Sequence, residues 1–114
     1  MIWARGHKTD WDHFATESGD QAWSYHSVLA LYQRVEDWGG APDACLRGVG
    51  GPGTRSVSTK PQPLAIAAIE FAASAGIASF HSPNGRMMEG VGGAAIADLR
   101  LWQGKRESSY RSYA

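Results

Sequence analysis

Apolar residues recur at helical spacing in three places along this chain. Val28, Leu31, Tyr32 and Val35 fall at i, i+3, i+4 and i+7, a single stripe on a helix predicted from Tyr25 to Asp37. Ser24 stands just before it, with a hydroxyl suited to accept from a first-turn amide. Trp11, Phe14 and Ala15 share one face of a shorter helix over 11–17, with Asp10 as its expected N-cap and Ser18-Gly19-Asp20 as its end. A third helix is predicted over 63–75, where Leu64, Ala68, Ile69, Ala72 and Ala73 line one face and Ile66 and Phe71 add apolar surface on others. Pro63 suits its first turn and Gly76 its C-terminal cap. Its only charge is Glu70. A helix apolar on most sides needs burial on most sides, and a chain this short has few elements to supply it.

Strand patterning is sparser. Ala97, Leu99 and Leu101 alternate with Asp98, Arg100 and Trp102 in one clear strand predicted over 94–102, and 54–58 reads as a short extended segment. A lone strand leaves its amides and carbonyls unpaired, so its partner strands are expected from outside the chain. Trp23 and Trp38 flank the central helix and are expected to pack against its two ends. Gly39-Gly40-Ala41-Pro42-Asp43 and Ser82-Pro83-Asn84-Gly85 are turn chemistry. Glycine takes four of the six positions from Gly48 to Gly53, with neither the G-x-G-x-x-G spacing nor the Lys-Ser/Thr of a nucleotide loop. That stretch is therefore read as a structural turn, not a phosphate cradle.

The composition narrows the function classes. The chain has 114 residues, enough for one core, and its 11 basic and 11 acidic residues cancel. No electrostatic footprint for nucleic acid or an anionic membrane is left, so neither is expected as a partner. No apolar run approaches the roughly 18 to 20 residues of a bilayer span, and no secretory leader pattern is present, which makes a cytoplasmic location the expectation. Cys45 is the single cysteine and reads as an unremarkable buried or loop residue. His7, Asp10, Asp12 and His13 carry metal-binding donors, but no H-E-x-x-H-type pair fixes a geometry, and no metal site is assigned.

Four blocks then carry a resemblance. They are Met1-Ile2-Trp3-Ala4-Arg5-Gly6-His7 with Asp10-Trp11-Asp12; Trp23 to Val35; Arg47 to Pro52; and Asn84-Gly85-Arg86-Met87-Met88-Glu89-Gly90 followed by the strand and by Gly104-Lys105-Arg106-Glu107-Ser108. In order and approximate spacing these resemble the glucose-methanol-choline oxidoreductases, nearest to choline dehydrogenase-like members. Trp3, Gly6 and Asp12 match the trailing half of the family's first sequence pattern. The resemblance implies an FAD-dependent enzyme that oxidises a small-molecule alcohol, with hydride passing to flavin N5. It also implies that Met1, Ile2 and Trp3 lie at the end of a flavin-contacting segment.

The family's dinucleotide fingerprint lies upstream of the matched region and its catalytic histidine downstream, so no catalytic residue is assigned. His7, His13, His26 and His81 do not fall at that position. Met87 and Met88 are read as flexible packing, with a substrate cavity as the alternative. The expectation is an α+β piece of a two-domain flavoprotein, with about three helices, one clear strand and glycine-rich loops. Residues 1–20 would form the flavin-covering segment, 21–103 part of the substrate-binding domain and 104–114 a return toward the FAD domain. The N- and C-terminal parts of such a polypeptide would then be missing partners. The alternative is a non-catalytic module, or one half of a split enzyme.

Overall fold

The computed structural model describes residues 3–57, 61–80, 82–89, 91–92, 98–102 and 105–106. Helix α1 covers Lys8–Ser18, earlier than the apolar pattern suggests, because His7 and not Asp10 caps it: His7 Nδ1 accepts from the Thr9 amide at 3.2 Å. Asp10 sits in the first turn instead, where a carboxylate complements the helix dipole. Gly19 closes α1 at φ 68°, a left-handed conformation that glycine adopts without a Cβ penalty. After a 3-10 turn at Gln21–Trp23, helix α2 spans Tyr25–Val35 with Ser24 as its cap, as expected.

Helix α2 stops two residues before the predicted end, and the chain passes directly into strand β1, Glu36–Trp38. The chain leaves the helix at Glu36, which is extended at φ −96° and ψ 137° and turns its fully buried side chain toward Arg5 and Arg47. Strand β2, Gly53–Val57, runs parallel to β1, pairing Glu36 with Gly53 and Trp38 with Arg55. Helix α3 spans Pro63–Ser74; Ala75 is its C-cap and Gly76, at φ 82°, the left-handed residue after it.

The two-residue strands β3, Ser79–Phe80, and β4, Val91–Gly92, pair in parallel. Strand β5, Asp98–Trp102, lies antiparallel to β2 and to β6, Lys105–Arg106, giving a sheet of order β1-β2-β5-β6. The expectation of one strand without partners in the chain is thus corrected. Its neighbours are the short segments β2 and β6, and β2 is paired in turn with Glu36-Asp37-Trp38, which carries charge where alternation would put apolar residues.

The hydrophobic core is small. Among the described residues only Ala15, Tyr25, Val28 and Ala72 are buried apolar positions. On α3, Leu64 is 83% and Phe71 75% exposed, so the apolar helix is largely uncovered. The Cα radius of gyration, 15.3 Å, exceeds the roughly 13 Å of a compact domain of about this length.

Candidate functional site

Charged and polar side chains, not apolar ones, occupy the deepest positions: Arg5, Glu36, Arg55 and Asn84 are each at most 1% exposed. Glu36 is the centre. One carboxylate oxygen pairs with Arg5 Nη2 and also accepts from the Gly48 amide at 3.1 Å, while the other accepts from Arg47 Nη1 at 3.0 Å. Arg5 Nη1 reaches the Leu46 carbonyl. Arg47 Nη2 donates to Ser82 Oγ at 2.6 Å, and its guanidinium lies 3.8 Å from the Trp38 ring centroid. Two guanidinium groups and an amide give this buried carboxylate charge-assisted bonds that offset its lost hydration.

This hub holds the stretch from Trp3 to His7, which belongs to no helix or strand. Asn84 Oδ1 accepts from the Arg5 amide at 2.9 Å and its Nδ2 donates to the Trp3 carbonyl at 2.9 Å. The Arg5 carbonyl accepts from both Trp11 Nε1 and Tyr32 Oη, each at 2.8 Å. Trp3 is itself packed between the Arg55 guanidinium, 4.0 Å from its ring centroid, and the edge of Tyr32 at 5.7 Å. Its indole Nε1 is buried with no hydrogen-bond partner among the described residues. Burial raises the Tyr32 phenol above its ordinary pKa, against a smaller lowering by Arg5, and so keeps it a donor.

Two hollows flank this stretch. An apolar groove of about 590 Å³ is lined by Trp3, Trp11, Trp23, Leu31 and Tyr32, with Asp20 at its edge. Trp23 stacks on Trp11 at 6.3 Å but remains half exposed, so it covers α1 without closing the groove. A second hollow of about 440 Å³ is lined by His7, Lys8, Tyr25, Arg86, Met87 and Met88 among others, and Met87 is half exposed in it. His7 Nε2 lies 3.3 Å from Glu89 at its rim. Among the described residues, no group of three or more His, Cys, Asp or Glu could hold a metal ion, and Cys45 is an exposed turn residue.

Asp12 joins α1 to α2: its Oδ1 accepts from the Tyr25 amide at 2.9 Å and its Oδ2 lies 3.5 Å from Lys8 Nζ. The Tyr25 amide, more than Lys8, holds its carboxyl below the usual carboxylate pKa. A depressed folded-state pKa gives a contribution that is present above the unfolded value of about 3.9 and is lost as pH falls through the lower folded value. Asp12→Asn is therefore expected to lower the urea midpoint near neutral pH and to flatten its fall in acid. An unchanged acid limb would show that Asp12 carries none of that dependence.

Of the residues assigned to the flavin segment from sequence, Met1 and Ile2 lie outside the described residues, and Trp3 packs as above. Arg5, Glu36, Arg47, Arg55 and Asn84 were not singled out as a set by any local pattern, because the bonds that tie Arg5, Glu36, Arg47 and Asn84 to one another and to Trp3 span 11 to 81 residues. The glycine turn behaves as read. A Cβ at Gly48 would meet Gln33 backbone, and one at Gly51 the backbone of Arg34 to Glu36, so the glycines admit close chain packing and leave no open cradle.

No protein-family model matches the chain. Over 113 residues, 99% of its length, it is 32% identical to the oxygen-dependent choline dehydrogenase of Brucella anthropi, and it is 34% identical over 116 aligned residues to that of Klebsiella pneumoniae subsp. pneumoniae. It spans 20% of the length of each. The crystal structure of pyridoxine 4-oxidase from Mesorbium loti matches with a TM-score of 0.86 at 29% identity, covering 99% of this chain and 22% of that one. The likeness to glucose-methanol-choline oxidoreductases is thus present in sequence and in backbone along nearly all of the chain.

Proposed function

We propose that this chain is one segment of a glucose-methanol-choline oxidoreductase, an FAD-dependent enzyme acting on the CH–OH group of a small alcohol, and that its own part is to hold and orient the cofactor-facing stretch. One observation carries the reading: a single pairing with choline dehydrogenases runs through 99% of the chain while covering a fifth of theirs. The blocks that carry the resemblance also meet in space: Arg5, Arg47 and Asn84 come from three of them, Arg5 and Arg47 meet at Glu36, and Asn84 bonds the Arg5 amide. The exposed Leu64 and Phe71 and the open tryptophan groove are apolar surface of the kind that further chain would bury.

A bound flavin supplies the acceptor for hydride from the alcohol carbon. The described residues fit such a group at one edge only. Trp3 offers a buried indole N–H with no partner among them, at the position that the resemblance sets against the flavin. For the pyrophosphate they offer nothing, because the glycine turn is filled by the chain's own backbone. Residues 1–20 would then cover the flavin, 21–103 contribute to the substrate domain and 104–114 lead back toward the FAD domain.

Purified residues 1–114 are accordingly expected to retain no flavin absorption once free FAD is removed after mixing, and to show no oxidation of choline. A polypeptide carrying the segment together with a dinucleotide fingerprint and a histidine base should show both for some alcohol. Turnover by residues 1–114 alone would overturn the division of labour, and a longer polypeptide that never takes up flavin would overturn the family reading.

A further inference from the structure

We propose that Asn84 is a positioning residue for the flavin-covering segment: its buried amide takes the place of a neighbouring strand and fixes the backbone from Trp3 to Arg5. The inference rests on the reading above and gives a role to a residue that the resemblance marks without one. In a parallel pair of strands, one residue of the adjacent strand accepts from one amide and donates to the carbonyl two residues earlier. Around Ala4 those two groups are the Arg5 amide and the Trp3 carbonyl, and the Asn84 side chain satisfies both at 2.9 Å. Because one partner can only donate and the other can only accept, the orientation of the amide is fixed by them.

Asn84 is itself held. It is fully buried, its backbone N–H donates to Ser82 Oγ at 3.1 Å, and that hydroxyl accepts from Arg47, which is paired with Glu36. Arg5 is gripped at its amide by Asn84, at its carbonyl by Trp11 and Tyr32, and at its guanidinium by Glu36. The stretch at the flavin's edge is thereby registered by residues about eighty positions away, without a strand pairing that would cover it. A carboxylate in place of the amide keeps the bond from Arg5 but turns an acceptor toward the Trp3 carbonyl, so Asn84→Asp loosens Trp3 while filling the same space. Positioning errors of this size matter where a reacting group must be held in register.

The test uses the flavin-loaded protein that carries this segment, with Asn84→Ala, Asn84→Asp and, as a stability control whose hydroxyl bonds only Ser27 among the described residues, Ser24→Ala. Flavin dissociation constants on reconstitution and the bound flavin's visible band are measured beside the urea midpoint. Both Asn84 variants are expected to weaken flavin binding by about tenfold or more and to blunt the band, whereas Ser24→Ala lowers the midpoint with its flavin constant within about twofold. If Asn84→Ala does not fold, Asn84→Asp decides. Hydrogen exchange of the unsubstituted protein gives an independent reading, in which the Arg5 amide should slow on flavin addition more than the amides of α2. Flavin constants for the Asn84 variants that shift no more than for Ser24→Ala, with no selective slowing at Arg5, would overturn the positioning role and leave the family reading intact. A protein that binds no flavin would take both down together.

Discussion

Replacing Glu36 by Gln is expected to cost about 3–5 kcal/mol of folding free energy, the range found when one member of a buried charge pair is removed. The substitution keeps the shape of the side chain and removes the anion that Arg5 and Arg47 share, while both guanidinium groups stay almost wholly out of water. Their mutual repulsion and lost hydration then act without the carboxylate between them. Domains of this size are stable by roughly 5–15 kcal/mol, and with only four buried apolar residues among those described the margin is small. The expected observation is loss of the cooperative urea transition, or a midpoint moved far toward zero denaturant. A loss below about 1 kcal/mol would mean that the pairings visible around Glu36 do not hold the fold.

The contrast that makes this specific is the Lys8–Asp12 pair on α1. It has similar chemistry, but its side chains are 65% and 45% exposed. Exposed pairs of this kind contribute a few tenths of a kcal/mol, so Lys8→Ala should leave the midpoint nearly unchanged. Burial separates the two cases: removing one buried member leaves the others uncompensated and out of water, whereas an exposed partner is simply rehydrated.

The difference between what was legible in the sequence and what was not follows the range of the interactions. The helices could be read because their signals are local: Val28, Leu31, Tyr32 and Val35 repeat within eleven residues, and Ser24 caps the helix it precedes. Strand β2 could be read as extended, but β1 could not, since Glu36 points inward where a periodic reading puts a charge outward. Its reasons for doing so are Arg5, 31 residues before it, and Arg47, 11 after it. The resemblance flagged Arg47, Gly48 and Asn84 as motif positions without a cause. Their place in one bonded network supplies one: Arg47 and Gly48 hold Glu36, and Asn84 holds Arg5, which pairs with Glu36, so four distant pieces of chain are held together.

Among the motif glycines, Gly48→Ala is expected to be the most damaging, at about 3 kcal/mol or more, at or beyond the top of the usual range for overpacking. A Cβ there would overlap the Gln33 carbonyl oxygen and stand 2.5 Å from its carbon. These are backbone atoms inside α2, and no side chain can swing aside to make room. Nor can Gly48 retreat, because its amide is bonded to Glu36 and its carbonyl accepts from the Trp38 amide at 2.9 Å. Gly50, two residues on, is the control: its φ is 79° and nothing lies within 4 Å of the place an added methyl would take, so Gly50→Ala should cost only the roughly 1–2 kcal/mol of a left-handed non-glycine residue. Urea midpoints of the two variants would rank them directly. If Gly50→Ala proved the worse, conformational freedom would be what the turn requires. If Gly48→Ala does, the requirement is contact: this glycine is there so that the turn can lie against α2 and deliver its amide to the carboxylate at the centre of the hub.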